Sequence, residues 1–169
     1  SENFTSISYF LTPIAYTLNY LDDHYNFKTY SMVGLSGGGW TSTIYPAIDT
    51  RISKSFAVAG SLPISLRLNA QDIGDYEQSH FELYKIANYP ELYIMSSYGN
   101  DREFVQIFNK YDTCCFAGTL YEHYEHEIKK VVSNLNNGKF SVILDDTHNE
   151  HKISGYTLKL VHESISLDN

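Results

Sequence analysis

The sequence predicts an α/β fold, with about four mainly parallel strands flanked by helices. Three observations carry this. Short β-branched and aromatic runs alternate with longer windows at helical spacing; residues 55–60 are apolar without alternation, as in strands covered on both faces; and no repeat or Pro/Gly/Ser-rich linker interrupts the chain. At 169 residues, 43% hydrophobic and 15% aromatic, there is material for a single domain with its own core.

The elements follow in chain order. Residues 13–25 place Ile14, Leu18 and Leu21 at helical spacing, with Pro13 suited to a first turn; the ten residues before them are ambiguous. Residues 29–35 form a β-rich run ending near Gly34, and residues 41–47 a helix stopped near Pro46 and Asp49. Residues 55–60 give a second strand. The stretch 61–101 exceeds an ordinary connection and holds helical windows at 77–87 and 90–98, which predicts a helical excursion that shapes a substrate pocket. A third strand at 104–108, a helix at 120–135 with Leu120, Tyr124, Ile128, Val131 and Leu135 on one face, a fourth strand at 140–144 and a last helix at 154–165 complete the series. Such alternation implies right-handed crossovers and a parallel sheet.

The formal charge of −8 repels phosphate backbones and anionic lipid, so neither nucleic acid nor a membrane surface is an expected partner. No apolar run reaches the roughly 18 residues of a spanning helix and the first residues lack a signal-peptide pattern, so the chain is expected to be soluble, in a compartment the sequence does not name. Cys114 and Cys115 are adjacent. A bridge between neighbours falls short of the usual Cα separation of about 4.4–6.8 Å, so two thiols packed in a turn are expected.

Chemistry concentrates at Val33-Gly34-Leu35-Ser36-Gly37-Gly38-Gly39-Trp40, a GxSxG pattern between a predicted strand and a predicted helix. A serine held on such a turn projects from the sheet edge. Gly34 and Gly38 are the positions where strand and helix must approach, and the Gly37 N–H at the helix start is a backbone donor for an oxyanion. Serine is a weak nucleophile and needs a histidine, which in turn needs an acid. Asp112 lies just past the third strand, on the rim expected for Ser36, and is the candidate acid; Asp101 replaces it if residues 92–97 are a strand. After the fourth strand, Asp145-Asp146-Thr147-His148-Asn149-Glu150-His151 supplies two candidate bases. His151, close to the N-cap expected at Ser154, is favoured over His148. No zinc-type pattern accompanies them, so no metal and no cofactor are expected. Histidines 24, 80, 123, 126 and 162 are expected on the surface. Asp72, Asp75 and Glu77 look like a solvated run without a role, and Trp40 is expected to pin the elbow helix rather than line an acyl pocket.

On the segment 34–40, on Asp112 with Cys114-Cys115-Phe116, and on His151-Lys152-Ile153-Ser154, the chain resembles the α/β-hydrolase superfamily, near dienelactone hydrolases and acetyl-esterase-like enzymes. The resemblance implies hydrolysis of a small-molecule ester through a Ser36–His151–Asp112 triad and an acyl-enzyme. A thioesterase or peptidase could use the same residues. In that superfamily the nucleophile follows the fifth of eight strands, and a loop after the third supplies a second oxyanion donor. Ser36 lies too near residue 1 for those parts, so the resemblance implies a C-terminal half whose nucleophile strand is an exposed edge, open to self-association or to an N-terminal half. The rival expectation is a non-catalytic binding or assembly module, or an inactive fragment, that retains the scaffold.

Overall fold

A computed structural model describes residues 5–166. Among these, four strands, β1 (Tyr30–Leu35), β2 (Ile52–Val58), β3 (Glu103–Asn109) and β4 (Lys139–Asp145), form one parallel sheet in the order β1-β2-β3-β4. Each strand is laid beside its predecessor after a crossover. All four C-terminal ends therefore share one rim, where loops from consecutive strands can meet.

The helices are α1 (Ile7–His24), α2 (Gly37–Ile48), α3 (Phe81–Ile86), α4 (Tyr89–Ser97), α5 (Glu125–Asn134) and α6 (Gly155–Ser166). Alternation along β3 divides the core. Phe104 and Phe108 join Trp40, Ile44, Tyr93, Ile128, Val132 and Phe140 on the face covered by α2, α4 and α5. Val105 and Ile107 join Phe56, Val58 and Val161 of α6 on the other. Each phenylalanine so enclosed contributes about 1.5–3 kcal/mol relative to exposure. Leu18 of α1 packs on Tyr45 and Ile52, beside the start of β1.

Several elements differ from expectation. The first helix starts at Ile7, so Pro13 lies inside it rather than in its first turn. The elbow helix begins at Gly37, directly after Ser36, and carries Pro46 in its last turn. The helix expected over 120–135 breaks at Tyr124 (φ −135°, ψ −18°), between a 3-10 turn (Leu120–His123) and α5. The cause is the Tyr124 hydroxyl, which reaches into the core to donate to Gln106 Oε1 at 2.9 Å. Tyr124, Ile128 and Val132 then form the buried stripe, while Val131 and Leu135 are exposed. In the stretch 61–101, 3-10 turns at Ile64–Leu66, Ala70–Asp72 and Tyr76–Ser79 precede α3 and α4. The segment 92–97 is helical, started by a capping box between Asn88 and Glu91. No helix among the described residues is long and apolar enough to cross a membrane.

Candidate active site

Ser36 sits at φ 58° and ψ −121°, a backbone conformation costing a non-glycine residue on the order of 1–3 kcal/mol. Pairing overrides that cost. Its N–H donates to Val58 O (3.0 Å), and its carbonyl accepts from Trp40 N (2.8 Å) as α2 begins. A Cβ on Gly34 would lie 2.1 Å from Gly38 O, so only glycine lets β1 and α2 approach this closely. Gly38 itself was expected to be sterically restricted, and it is not. A Cβ there meets nothing within 4 Å, because the carbonyl of Gly38, not its Cα hydrogen, faces Gly34. The other close approach joins Gly39 to Gly60, where a Cβ on Gly60 would lie 2.3 Å from Gly39 C. Gly37 is exposed and occupies the first helical position, so its N–H has no intrahelical acceptor and stands beside Ser36 at the positive end of α2.

Asp112 and His151 come from the loops after β3 and β4. His151 Nδ1 lies 2.8 Å from Asp112 Oδ2. The Cys114 N–H donates to Asp112 Oδ1 at 2.8 Å, and Asn109 Nδ2 donates both to Asp112 Oδ2 (3.1 Å) and to Lys152 O (3.0 Å). Burial pushes the Asp112 carboxyl up, but hydrogen bonds from Cys114, His151 and Asn109 outweigh it and hold the carboxyl below its ordinary value. An ionised Asp112 accepts a proton-bearing Nδ1. That leaves the lone pair of neutral His151 on Nε2, an enclosed atom without a hydrogen-bond partner.

The alternates are placed differently. His148 Nδ1 accepts from Glu150 N at 3.1 Å, and its Nε2 faces Asp145 Oδ2 at 3.6 Å. Asp145, fully buried, is occupied by Ser154, Thr147 and Thr157, so the pair braces the loop that carries His151. Asp101 lies in the turn before β3, at the opposite end of the sheet from Ser36. The Ser154 hydroxyl accepts from Thr157 N at 3.0 Å, capping α6. Asn109 and Asp145 received no role from sequence, where a buried strand-end Asn or Asp is indistinguishable from a turn residue.

A cleft of about 280 Å³ opens beside the elbow, lined by Ser36, Gly37, Asp75, Glu77, Cys114 and Cys115 among others. The cysteine expectation is corrected: Cys114 and Cys115 form a disulfide across Cα atoms 3.8 Å apart, the span of one trans peptide. Atoms of both sulfurs and a His151 ring nitrogen lie within 4.8 Å of one another, so the pair links the serine cleft to the histidine. Disulfide sulfurs offer no thiolate to a metal. The acidic run is also not uniformly solvated. Asp72 and Glu77 are each 6% exposed, Asp72 Oδ1 accepts from Phe116 N at 2.6 Å, and Asp75 and Glu77 face the cleft. Buried Trp40 donates to the Tyr84 hydroxyl at 2.7 Å and does not line the cleft. His24, His123, His126 and His162 are exposed, whereas His80 is half-buried.

No protein-family model and no curated protein matches the sequence. Solved structures do match. An esterase of Pyrococcus furiosus aligns at TM-score 0.60 and 12% identity over 96% of this chain and 61% of its own. An acetyl xylan esterase of Paenibacillus sp. R4 aligns at 0.56 and 13% over 90% of this chain and 50% of its own. An acylaminoacyl peptidase of Pyrococcus horikoshii aligns at 0.57 and 14% over 89% of this chain and 26% of its own. The shared feature is the α/β-hydrolase fold, and the chain spans about half to three fifths of the two esterases and a quarter of the peptidase.

Proposed function

We propose that the chain is a serine-dependent hydrolase that cleaves a carboxylic ester. The observation that carries this is the convergence of loops on one rim: Ser36 on a positive-φ turn between β1 and α2, and the Asp112–His151 pair after β3 and β4, joined by the disulfide that borders both. In this reading Ser36 Oγ attacks the acyl carbon while His151 Nε2 takes its proton. The Gly37 N–H receives the charge developing on the carbonyl oxygen, where a single such donor is worth about 100-fold or more in rate. His151 returns the proton to the departing alcohol. Water, activated by the same nitrogen, then releases the acid from the acyl-serine and restores Ser36. Asp112 keeps Nδ1 protonated throughout and stabilises the imidazolium.

Ser36 Oγ and His151 Nε2 make no hydrogen bond to each other, and catalytic contacts of this kind often tighten only around substrate. The test is covalent labelling with an alkyl fluorophosphonate, read by intact-protein mass and peptide mapping. One phosphonyl group on Ser36, lost in Ser36→Ala and slowed at least about 100-fold in His151→Ala, is expected. A folded chain that takes up no label, or takes it elsewhere, overturns the proposal in favour of a non-catalytic module.

A further inference from the structure

The cleft beside Ser36 is electrically one-sided. Asp75 and Glu77 line it and no lysine, arginine or histidine does. Glu77 is only 6% exposed, yet among the described residues its carboxylate makes no hydrogen bond or ion pair, and its oxygens are not among the sealed polar atoms. Glu77 is itself one of the residues that line the cleft. Its main chain is fixed, because the Tyr84 hydroxyl donates to Glu77 O at 2.9 Å and the adjacent Gln78 N–H donates to Asp75 O at 3.0 Å.

The cation of the same loop is committed elsewhere. Arg67 donates to Leu62 O at 2.9 and 2.7 Å, to Ile73 O at 3.0 Å and to Gln78 Oε1 at 3.1 Å, and lies over the rings of Tyr89 and Phe116. A nearly buried carboxylate without a counter-ion is costly unless something from outside neutralises it. A second carboxylate, Asp75, adds the same sign at the mouth. The chain's overall charge of −8 favours cations over anions as ligands in general.

We propose that the cleft selects esters bearing a positive charge, an ammonium or guanidinium group near the scissile bond, and that Glu77 is the residue that binds it. This rests on the reading of Ser36 as nucleophile. With the cation seated against Glu77, the ester carbonyl is held beside Ser36 and the Gly37 N–H. The enclosed carboxylate supplies the selectivity, and exposed Asp75 mainly raises the local concentration of cations.

The experiment compares the rates at which Ser36 is phosphonylated by isosteric probe pairs. In one pair the leaving group is thiocholine or its uncharged 3,3-dimethylbutyl analogue; in the other an ammonium-alkyl or plain alkyl chain stays on phosphorus. At least about tenfold faster reaction of the cationic member in one pair is expected. That preference should fall to within about twofold in Glu77→Gln and persist, weakened and less salt-sensitive, in Asp75→Asn. Equal rates for both members of both pairs in wild type overturn this inference while leaving the hydrolase reading intact. Absence of labelling by every probe overturns the hydrolase reading instead. A wild-type preference that survives in folded Glu77→Gln and vanishes in Asp75→Asn removes Glu77 from the role.

Discussion

Two aspartates stand at the C-terminal rim of neighbouring strands, Asp145 as the last residue of β4 and Asp112 in the loop just past β3, and each faces a histidine, but their surroundings give them opposite tasks. Asp112 shares one oxygen between His151 at 2.8 Å and Asn109 Nδ2 at 3.1 Å and spends the other on the Cys114 N–H. Asp145 has no oxygen to spare: Thr147 N and Oγ1 hold one, Ser154 and Thr157 hold the other, and His148 stays at 3.6 Å. Burial pushes the Asp145 carboxyl up, but these donors prevail and bring it to about 2, from an ordinary 3.8. A carboxyl depressed by folding stabilises the native state above its unfolded pKa, and that contribution is lost as pH falls through the folded value. Asp145→Asn should therefore lower the unfolding free energy by about 2 kcal/mol at pH 7. The gap to wild type should narrow between about pH 4 and pH 2, as followed by urea denaturation. Equal stability at pH 7 would mean the buried hydroxyls, not the carboxylate, hold this loop.

At the level of elements, the elbow tests whether close approach or conformational freedom requires its glycines. A methyl group on Gly34 must displace the Gly38 carbonyl from 2.1 Å, which neither β1 nor the first turn of α2 can yield. Gly34→Ala should cost more than about 3 kcal/mol or abolish phosphonylation of Ser36. Gly38→Ala, with open space around it, should stay within about 1 kcal/mol of wild type and can gain from helix propensity. Thermal unfolding of the two variants side by side separates them; equal losses would contradict the geometry. The same pair shows what was legible in the sequence. The order strand, Ser36, helix could be read locally, because a β-rich run, a glycine turn and an apolar window are adjacent in the chain. The partner of Gly39 could not. It is Gly60, 21 residues away and two residues past the end of β2, and nothing in either stretch announces the meeting. Strands β3 and β4 were legible for the same local reason, and Asp112 and His151 could be nominated from positions just beyond strand ends. The break at Tyr124 and the burial of Glu77 depend on contacts with Gln106 and Tyr84, which only the assembled core brings near.

At the scale of the whole molecule, the site occupies the corner of the sheet. β1, the strand that delivers Ser36, pairs with β2 on one side, and among the described residues no strand pairs its other side. Its outward side chains add apolar surface, since Val33 is 45% exposed and Tyr25 and Phe27 just before the strand exceed half. An uncovered parallel edge with apolar flanks recruits another strand, and natural edges resist this with charges placed along them. No lysine or arginine lies in Tyr30–Leu35, so that protection is missing here. The chain should therefore associate with itself in a concentration-dependent manner. Val33→Lys should weaken that association at least about tenfold in sedimentation velocity, because each added charge repels its counterpart across the paired edge. A chain that sediments as a monomer at every concentration, with or without the lysine, would show that the twist of β1 and its short length already suffice to protect the strand that carries the serine.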